Sequence, residues 1–188
     1  MAEARAGKRS VFFVDAVHFV MGSFLGWVWS ASRLFVRSAP GRQRFNVLGA
    51  LNAVSLELVR IANDQYIKAE TVCELLEKIS ALGLSTPVTL VMDNARYQRC
   101  KLVQNLASSL GIELLFLPSY SPNLNLIERL WKFVKKKALN SRRHNDFKEF
   151  QLSINDCLDR TATEYHDELK GLLNHKFQTF ENVSILTG

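Results

Sequence analysis

Three acidic residues stand where carboxylates could share a task. Asp15 closes a run of β-forming residues, Val11-Phe12-Phe13-Val14. Asp93 closes a second apolar run, Val88 to Met92. Glu128 opens a helical stretch behind a proline-containing loop. Carboxylates gathered at neighbouring strand ends repel one another and are partly neutralised unless cations hold them. Oxygen ligands suit hard divalent ions such as Mg²⁺, which keep open positions for water and phosphate oxygens. Two such ions about 4 Å apart activate an attacking water and stabilise a leaving alkoxide in phosphoryl transfer. Each acid also has a local reading. Asp15 could simply terminate a strand. Asp93-Asn94 could form a turn and helix start. Glu128 could reach back to an Asn125 cap. All three falling where one sheet edge collects ligands favours the shared site.

The helix after Asn125 adds independent support. Ile127, Leu130, Val134 and Ala138 recur at the spacing of a buried stripe, while Glu128, Lys132, Lys135 and Lys136 share another face. From Arg129 to Lys148 there are eight basic residues and one acid, Asp146, a net +7 within 20 residues. The rest of the chain, with 16 basic and 17 acidic residues, is near neutral. Clustered charge of this kind attracts a phosphate backbone. Lys132, Lys135, Lys136, Arg142 and Arg143 are therefore the candidate nucleic-acid contacts, guiding a phosphate backbone past the acids. The alternative is a solvated Glu–Lys face.

The elements that must position these groups follow from the hydrophobic pattern. Strands are expected at 11–15, 24–29, 45–51, 56–61, 88–92 and 112–117, with a turn at 52–55. Helices are expected near 67–79, 102–110, 126–139, 147–158 and 164–173, with Gly83 and Gly111 as stops. A meander of strands followed by alternating helices and strands implies an α/β fold with one mixed sheet flanked by helices. Ligands of such sheets sit beyond the carboxyl ends of the strands, where Asp15 and Asp93 are expected.

Composition bounds the rest. The 188 residues, 47% hydrophobic and 22% charged, suit one globular domain and exclude a disordered chain. Cys73, Cys100 and Cys157 are odd in number and far apart, which excludes a disulfide scaffold or zinc ribbon and suits a reducing cytosol. The net charge of +6 points to a polyanionic partner. Asp15 and His18 interrupt the apolar stretch from Val11 to Trp29, so no membrane span is expected there. The four histidines, His18, His144, His166 and His175, have no metal-ligand spacing and read as surface or core residues. Trp131 reads as a packing residue.

Three motifs carry a resemblance: Val14-Asp15, Met92-Asp93-Asn94-Ala95-Arg96, and the segment Leu-Pro-Ser-Tyr-Ser-Pro-Asn-Leu-Asn-Leu-Ile-Glu-Arg-Leu-Trp from Leu117 to Trp131. From about Val11 to Leu139 the chain resembles the catalytic domain of DDE transposases, in the mariner superfamily and its bacterial insertion-sequence branch. The 34 residues between Asp93 and Glu128 match the spacing common in that group. The resemblance implies a ribonuclease-H-like fold and a catalytic metal triad of Asp15, Asp93 and Glu128 binding two Mg²⁺ or Mn²⁺ ions. It also implies DNA hydrolysis and strand transfer, a nucleoid-associated cytoplasmic setting and room for a homodimer. Ala16, Gln98 and Leu126 depart from the Glu, His and Pro usual at those positions.

Relatives carry helix-turn-helix domains ahead of the catalytic domain. Here residues 1–10 read as a short tail and 11–188 as the catalytic domain with C-terminal helices. A separate or fused helix-turn-helix polypeptide is the expected partner for reading transposon ends. Two other readings stay open: a related metal-dependent nuclease without joining activity, and an inactive relic that only binds DNA or a partner subunit.

Overall fold

The computed structural model describes residues 1–22, 43–118, 124–140 and 142–173. A five-stranded sheet organises them. It comprises β1 (Ser10–Val20), β2 (Arg44–Asn52), β3 (Leu58–Asn63), β4 (Val88–Met92) and β5 (Ile112–Phe116), in the order β3-β2-β1-β4-β5. β1 pairs antiparallel with β2 and parallel with β4. β3 and β5 lie at the edges, antiparallel to β2 and parallel to β4 respectively. The helices are α1 (Ala2–Arg5), α2 (Ala69–Ser80), α3 (Lys101–Ser109), α4 (Ile127–Val134), α5 (Phe147–Asp159) and α6 (His166–Leu172). The mixed sheet and every helix expected from the periodicity are present. The strand expected at 24–29 lies outside the described residues.

Side chains alternate across a strand, so β1 feeds two cores. Its odd positions Val11, Phe13, Val17 and Phe19 join Phe45, Val47, Leu51 and Val91 on one face, under α4, α5 and α6. Its even positions Phe12 and Val14 join Leu48, Ala50, Leu90 and Met92 on the other, under α2 and α3. Both faces of the central strands are covered, which explains the unbroken apolar runs.

Three boundaries differ from the sequence pattern, each for a physical reason. β1 does not end at Asp15. Its pairing with β4 stops at Phe13↔Val91, but β2 continues to supply partners as far as Val20↔Arg44. β3 starts at Leu58 rather than Leu56, because Leu56 has a φ of 62° and belongs to the hairpin turn. There its N–H donates to the Asn52 carbonyl at 3.1 Å. Finally, β1 opens at Ser10 rather than Val11, and the short tail ahead of it is partly helical. Ala2–Arg5 form a helical turn with Ala4 buried, and Arg9 pairs with Glu3 at 2.7 Å and Glu113 at 2.5 Å.

Candidate metal and nucleic-acid site

Strand parity decides where the first two acids point. Asp15 shares the odd positions of β1 with Phe13 and Val17, so its side chain faces α4. Asp93 follows β4 directly and shares the parity of Val91, on the same face. The parallel ladder ends at Phe13↔Val91, and two residues further along each strand stand Asp15 and Asp93. The two acids therefore leave the end of one ladder in register. Asp15 sits in mid-strand, yet at the carboxyl end of the β1–β4 pairing. Asp93 is fixed by its own turn, with its Oδ1 accepting from the Ala95 N–H at 3.2 Å. The next side chain, Asn94, donates to the Leu117 carbonyl at 2.7 Å and ties this turn to the end of β5.

Glu128 lies in the first turn of α4. The buried stripe of that helix is the one expected: Ile127, Leu130, Val134 and Ala138 are all buried. They seat the helix on β1 and β2 and carry Glu128 over the end of the parallel ladder. The Glu128 N–H donates to the Asn125 carbonyl at 3.3 Å. Asn125 is not the side-chain cap that the sequence suggests. Leu126 occupies the cap position, and the buried Asn125 amide donates instead to the Val14 carbonyl at 3.0 Å, one residue before Asp15. The Asn125 side chain is thus tied to a strand 111 residues away and makes no cap.

The electrostatics mark a site short of positive charge. Burial pushes the Asp15 carboxyl up to about 7, and Asp93 and Glu128 push it the same way. The Ala16 N–H and the Trp131 indole oppose the shift by donating to its oxygens. Glu128 is also raised, first by burial and then by Asp93, against the opposing pull of Lys132. Tyr97 beside them is pushed up to about 12 by burial and by Asp93, so its phenol stays neutral. Asp15 thus lies within electrostatic reach of both other acids, as a shared site requires. Among the described residues, no three acidic, histidine or cysteine side chains stand close enough to ligate one ion together. The donor set is all carboxylate oxygen on one face, half-buried and under-compensated, and it fits a hard divalent cation.

A cleft of about 320 Å³ opens beside Asp15 and Glu128, lined also by Ala16, Val17, His18, Trp131, Lys132 and Lys135; Asp93 does not line it. Two of the expected basic residues, Lys132 and Lys135, therefore reach it. Lys136 does not line it. The helix widens into a π turn over Lys135–Leu139, with the Asn140 N–H donating to the Lys135 carbonyl at 3.1 Å. This turn buries both Ala138 and Leu139 and breaks the simple α-helical phase that put Lys136 beside Glu128. Arg142 and Arg143 are exposed on the connection to α5, outside the cleft. Two other members of the basic run are engaged elsewhere. Lys137 pairs with Glu168 at 2.8 Å and lies over the Phe133 and Tyr165 rings, while Arg129 donates to the Leu172 carbonyl at 3.3 Å.

Two side chains of the cleft do more than their sequence positions suggest. The Trp131 indole N–H donates to Asp15 Oδ2 at 3.1 Å. His18, expected as a surface or core residue, stands at the cleft with Nδ1 2.5 Å from Asn46 Oδ1. The Asn46 amide nitrogen donates to the Gln65 carbonyl, so Asn46 Oδ1 is an acceptor and His18 Nδ1 carries the proton. The parity of His18, opposite to that of Asp15, hides this placement at the level of sequence.

A family model described as a DDE superfamily endonuclease matches residues 10–151. No curated protein sequence gives a significant match. Solved structures of Mos1 transposase are similar in fold. The Mos1 strand transfer complex is 15% identical, with a TM-score of 0.59 over 93% of this chain and 56% of that one. The Mos1 mariner paired end complex with Mn is 14% identical, with a TM-score of 0.60 over 93% of this chain and 57% of that one. The Mos1 transposase catalytic domain with raltegravir and Mg is 11% identical, with a TM-score of 0.54 over 93% and 86%. The mixed sheet flanked by helices is thus the ribonuclease-H-like arrangement expected. The chain spans just over half the length of the first two Mos1 chains.

Proposed function

The chain belongs to the DDE superfamily endonucleases, and from that premise we propose that it is the catalytic domain of a transposase that cuts DNA strands and joins them to new sites. Asp15, Asp93 and Glu128 are the residues that hold the divalent cations, Mg²⁺ or Mn²⁺, two in number. The observation that carries this reading is the common face and register of Asp15 and Asp93 beneath the helix bearing Glu128. The Mos1 neighbours include a strand transfer complex and complexes with Mn and with Mg, which supports the choice of reaction and ions.

A bound pair of such ions supplies activation of an attacking hydroxyl and stabilisation of a leaving alkoxide. The chain's own residues do the rest. The three carboxylates fix where the scissile phosphate is charge-neutralised. Lys132 and Lys135 draw the phosphate backbone into the cleft, with Lys136, Arg142 and Arg143 extending the positive surface outward. The apolar walls of the sheet and α4 hold the acids rigidly, as phosphoryl transfer by positioning requires. DNA is the partner, together with a helix-turn-helix polypeptide, separate or fused, that reads transposon ends. No described helix is long and apolar enough to cross a membrane. A bacterial cytoplasmic, nucleoid-associated setting belongs to the same proposal.

The test is a joining assay with pre-cut donor ends and a supercoiled target in Mg²⁺. The wild-type chain, supplied with its end-reading partner, should join donor to target. Asp93→Asn should lose joining by at least about a hundredfold while keeping its circular dichroism spectrum, because the change removes a charge and keeps the shape. Hydrolysis without joining would favour the plain nuclease reading. Joining in chelator, or by Asp93→Asn at the wild-type rate, would overturn the metal-triad assignment.

A further inference from the structure

Trp131 sits one helical turn beyond Glu128 on α4, and its indole crosses to the strand that carries Asp15. Two contacts define its place. Its N–H donates to Asp15 Oδ2 at 3.1 Å. Its ring lies on Gly49, the β2 residue directly opposite Asp15 in the antiparallel ladder. A Cβ on Gly49 would stand 2.7 Å from the indole Cη2 and 2.9 Å from Cζ2, so any larger residue there would displace the ring. A further bond comes from just ahead of the same helix, where the buried Asn125 amide holds the Val14 carbonyl at 3.0 Å. The helix thus grips β1 twice around Asp15, once through backbone and once through the carboxylate itself.

We propose that Trp131 is a positioning residue for the metal site: its indole N–H, seated by Gly49, fixes the rotation of the Asp15 carboxylate and couples it to the helix that carries Glu128. This rests on the reading of Asp15, Asp93 and Glu128 as the cation-holding set. The physical basis is general. A carboxylate ligand free to rotate loses entropy when it binds an ion, and an outer hydrogen bond removes that freedom in advance. Removing such outer partners costs about 10- to 100-fold in metal affinity. A hydrogen bond from an uncharged donor also favours the ionised carboxylate without competing with the cation for it, as a lysine would. Burial alone needs no N–H. Trp131 is 3% exposed, and its ring without the N–H would meet the same packing requirement.

The test is Mn²⁺ titration calorimetry on the whole chain, with thermal unfolding measured in parallel. Four proteins are compared with wild type. In one, Trp131 is replaced by its benzothiophene isostere, which keeps the ring's shape and deletes the N–H. The others are Trp131→Phe, Gly49→Ala and Asp93→Asn. Wild type should bind Mn²⁺, and Asp93→Asn should lose that binding. The isostere should bind at least about tenfold more weakly, with unchanged unfolding temperature in chelator. Gly49→Ala should weaken binding as well, because it moves the ring and leaves the N–H chemistry intact. Where Trp131→Phe fails to fold, the isostere decides. Wild-type affinity in the isostere, with Asp93→Asn still defective, would overturn the positioning role and leave the metal site standing. Equal Mn²⁺ binding by wild type and Asp93→Asn, or none by either, would overturn both.

Discussion

Asp15 carries the largest electrostatic cost at the site. Its carboxyl is mostly buried among apolar neighbours and faces two further acids, and this holds it near 7 instead of the ordinary 3.8. A carboxyl raised in the folded state binds its proton more tightly folded than unfolded. The folded state is therefore favoured fully below about pH 4, and that advantage is lost as the pH rises through about 7. At about 1.4 kcal/mol per pH unit, the loss has a ceiling of about 4 kcal/mol, which relaxation of the site reduces. In chelator at about pH 8, Asp15→Asn should accordingly be more stable than wild type, by about 1 to 3 kcal/mol. At about pH 3, where Asp15 holds its proton in both the folded and the unfolded state, the two proteins should unfold alike. Urea titrations at both pH values check this. A variant no more stable than wild type at the higher pH would show that the fold already compensates the buried charge. A bound divalent cation would relieve the same cost.

At the scale of elements, α4 and the π turn that extends it divide their lysines by task. Lys132 and Lys135 line the cleft and make no ion pair among the described residues, while Lys137 is tied to Glu168 and two aromatic rings under α6. Lys132→Ala with Lys135→Ala should weaken binding to every DNA duplex. The log–log salt slope should fall by about 0.9 for each phosphate that the protein no longer neutralises. Lys137→Ala should leave the slope alone and lower the unfolding temperature only modestly, since it removes a single solvent-screened pair. Filter binding over a salt series separates the two. An unchanged slope in the double variant would reduce those lysines to a solvated face.

These elements were legible in the sequence to different degrees. β4, bounded by Pro87 and Asp93 and apolar throughout but for Thr89, matches its expected limits at both ends. The far half of β1 was not legible, because its extension past Asp15 depends on β2, a pairing between distant segments. The π turn was likewise hidden, since Lys135-Lys136-Lys137 carries no apolar signal of a widened helix. The acids themselves stood out by type and position. Their supports did not: Trp131 meets Asp15 from 116 residues away, and periodicity predicts burial of the indole but not the partner of its N–H.

The whole molecule places its three acids by one simple device. A parallel ladder ends at Phe13 and Val91, and the next same-face residues on both strands are acidic. An antiparallel neighbour keeps β1 rigid past that point, and a helix pinned by Asn125 and Trp131 brings the third acid over the gap. The opposite face, with α2 and α3, stiffens the sheet from behind. The most direct measurement is anomalous diffraction from crystals of the chain grown in Mn²⁺. Anomalous peaks should fall between the carboxylates of Asp15, Asp93 and Glu128 and vanish in Asp93→Asn crystals. Peaks confined to other surfaces, or Asp15 and Glu128 facing away from each other across the sheet, would contradict the site.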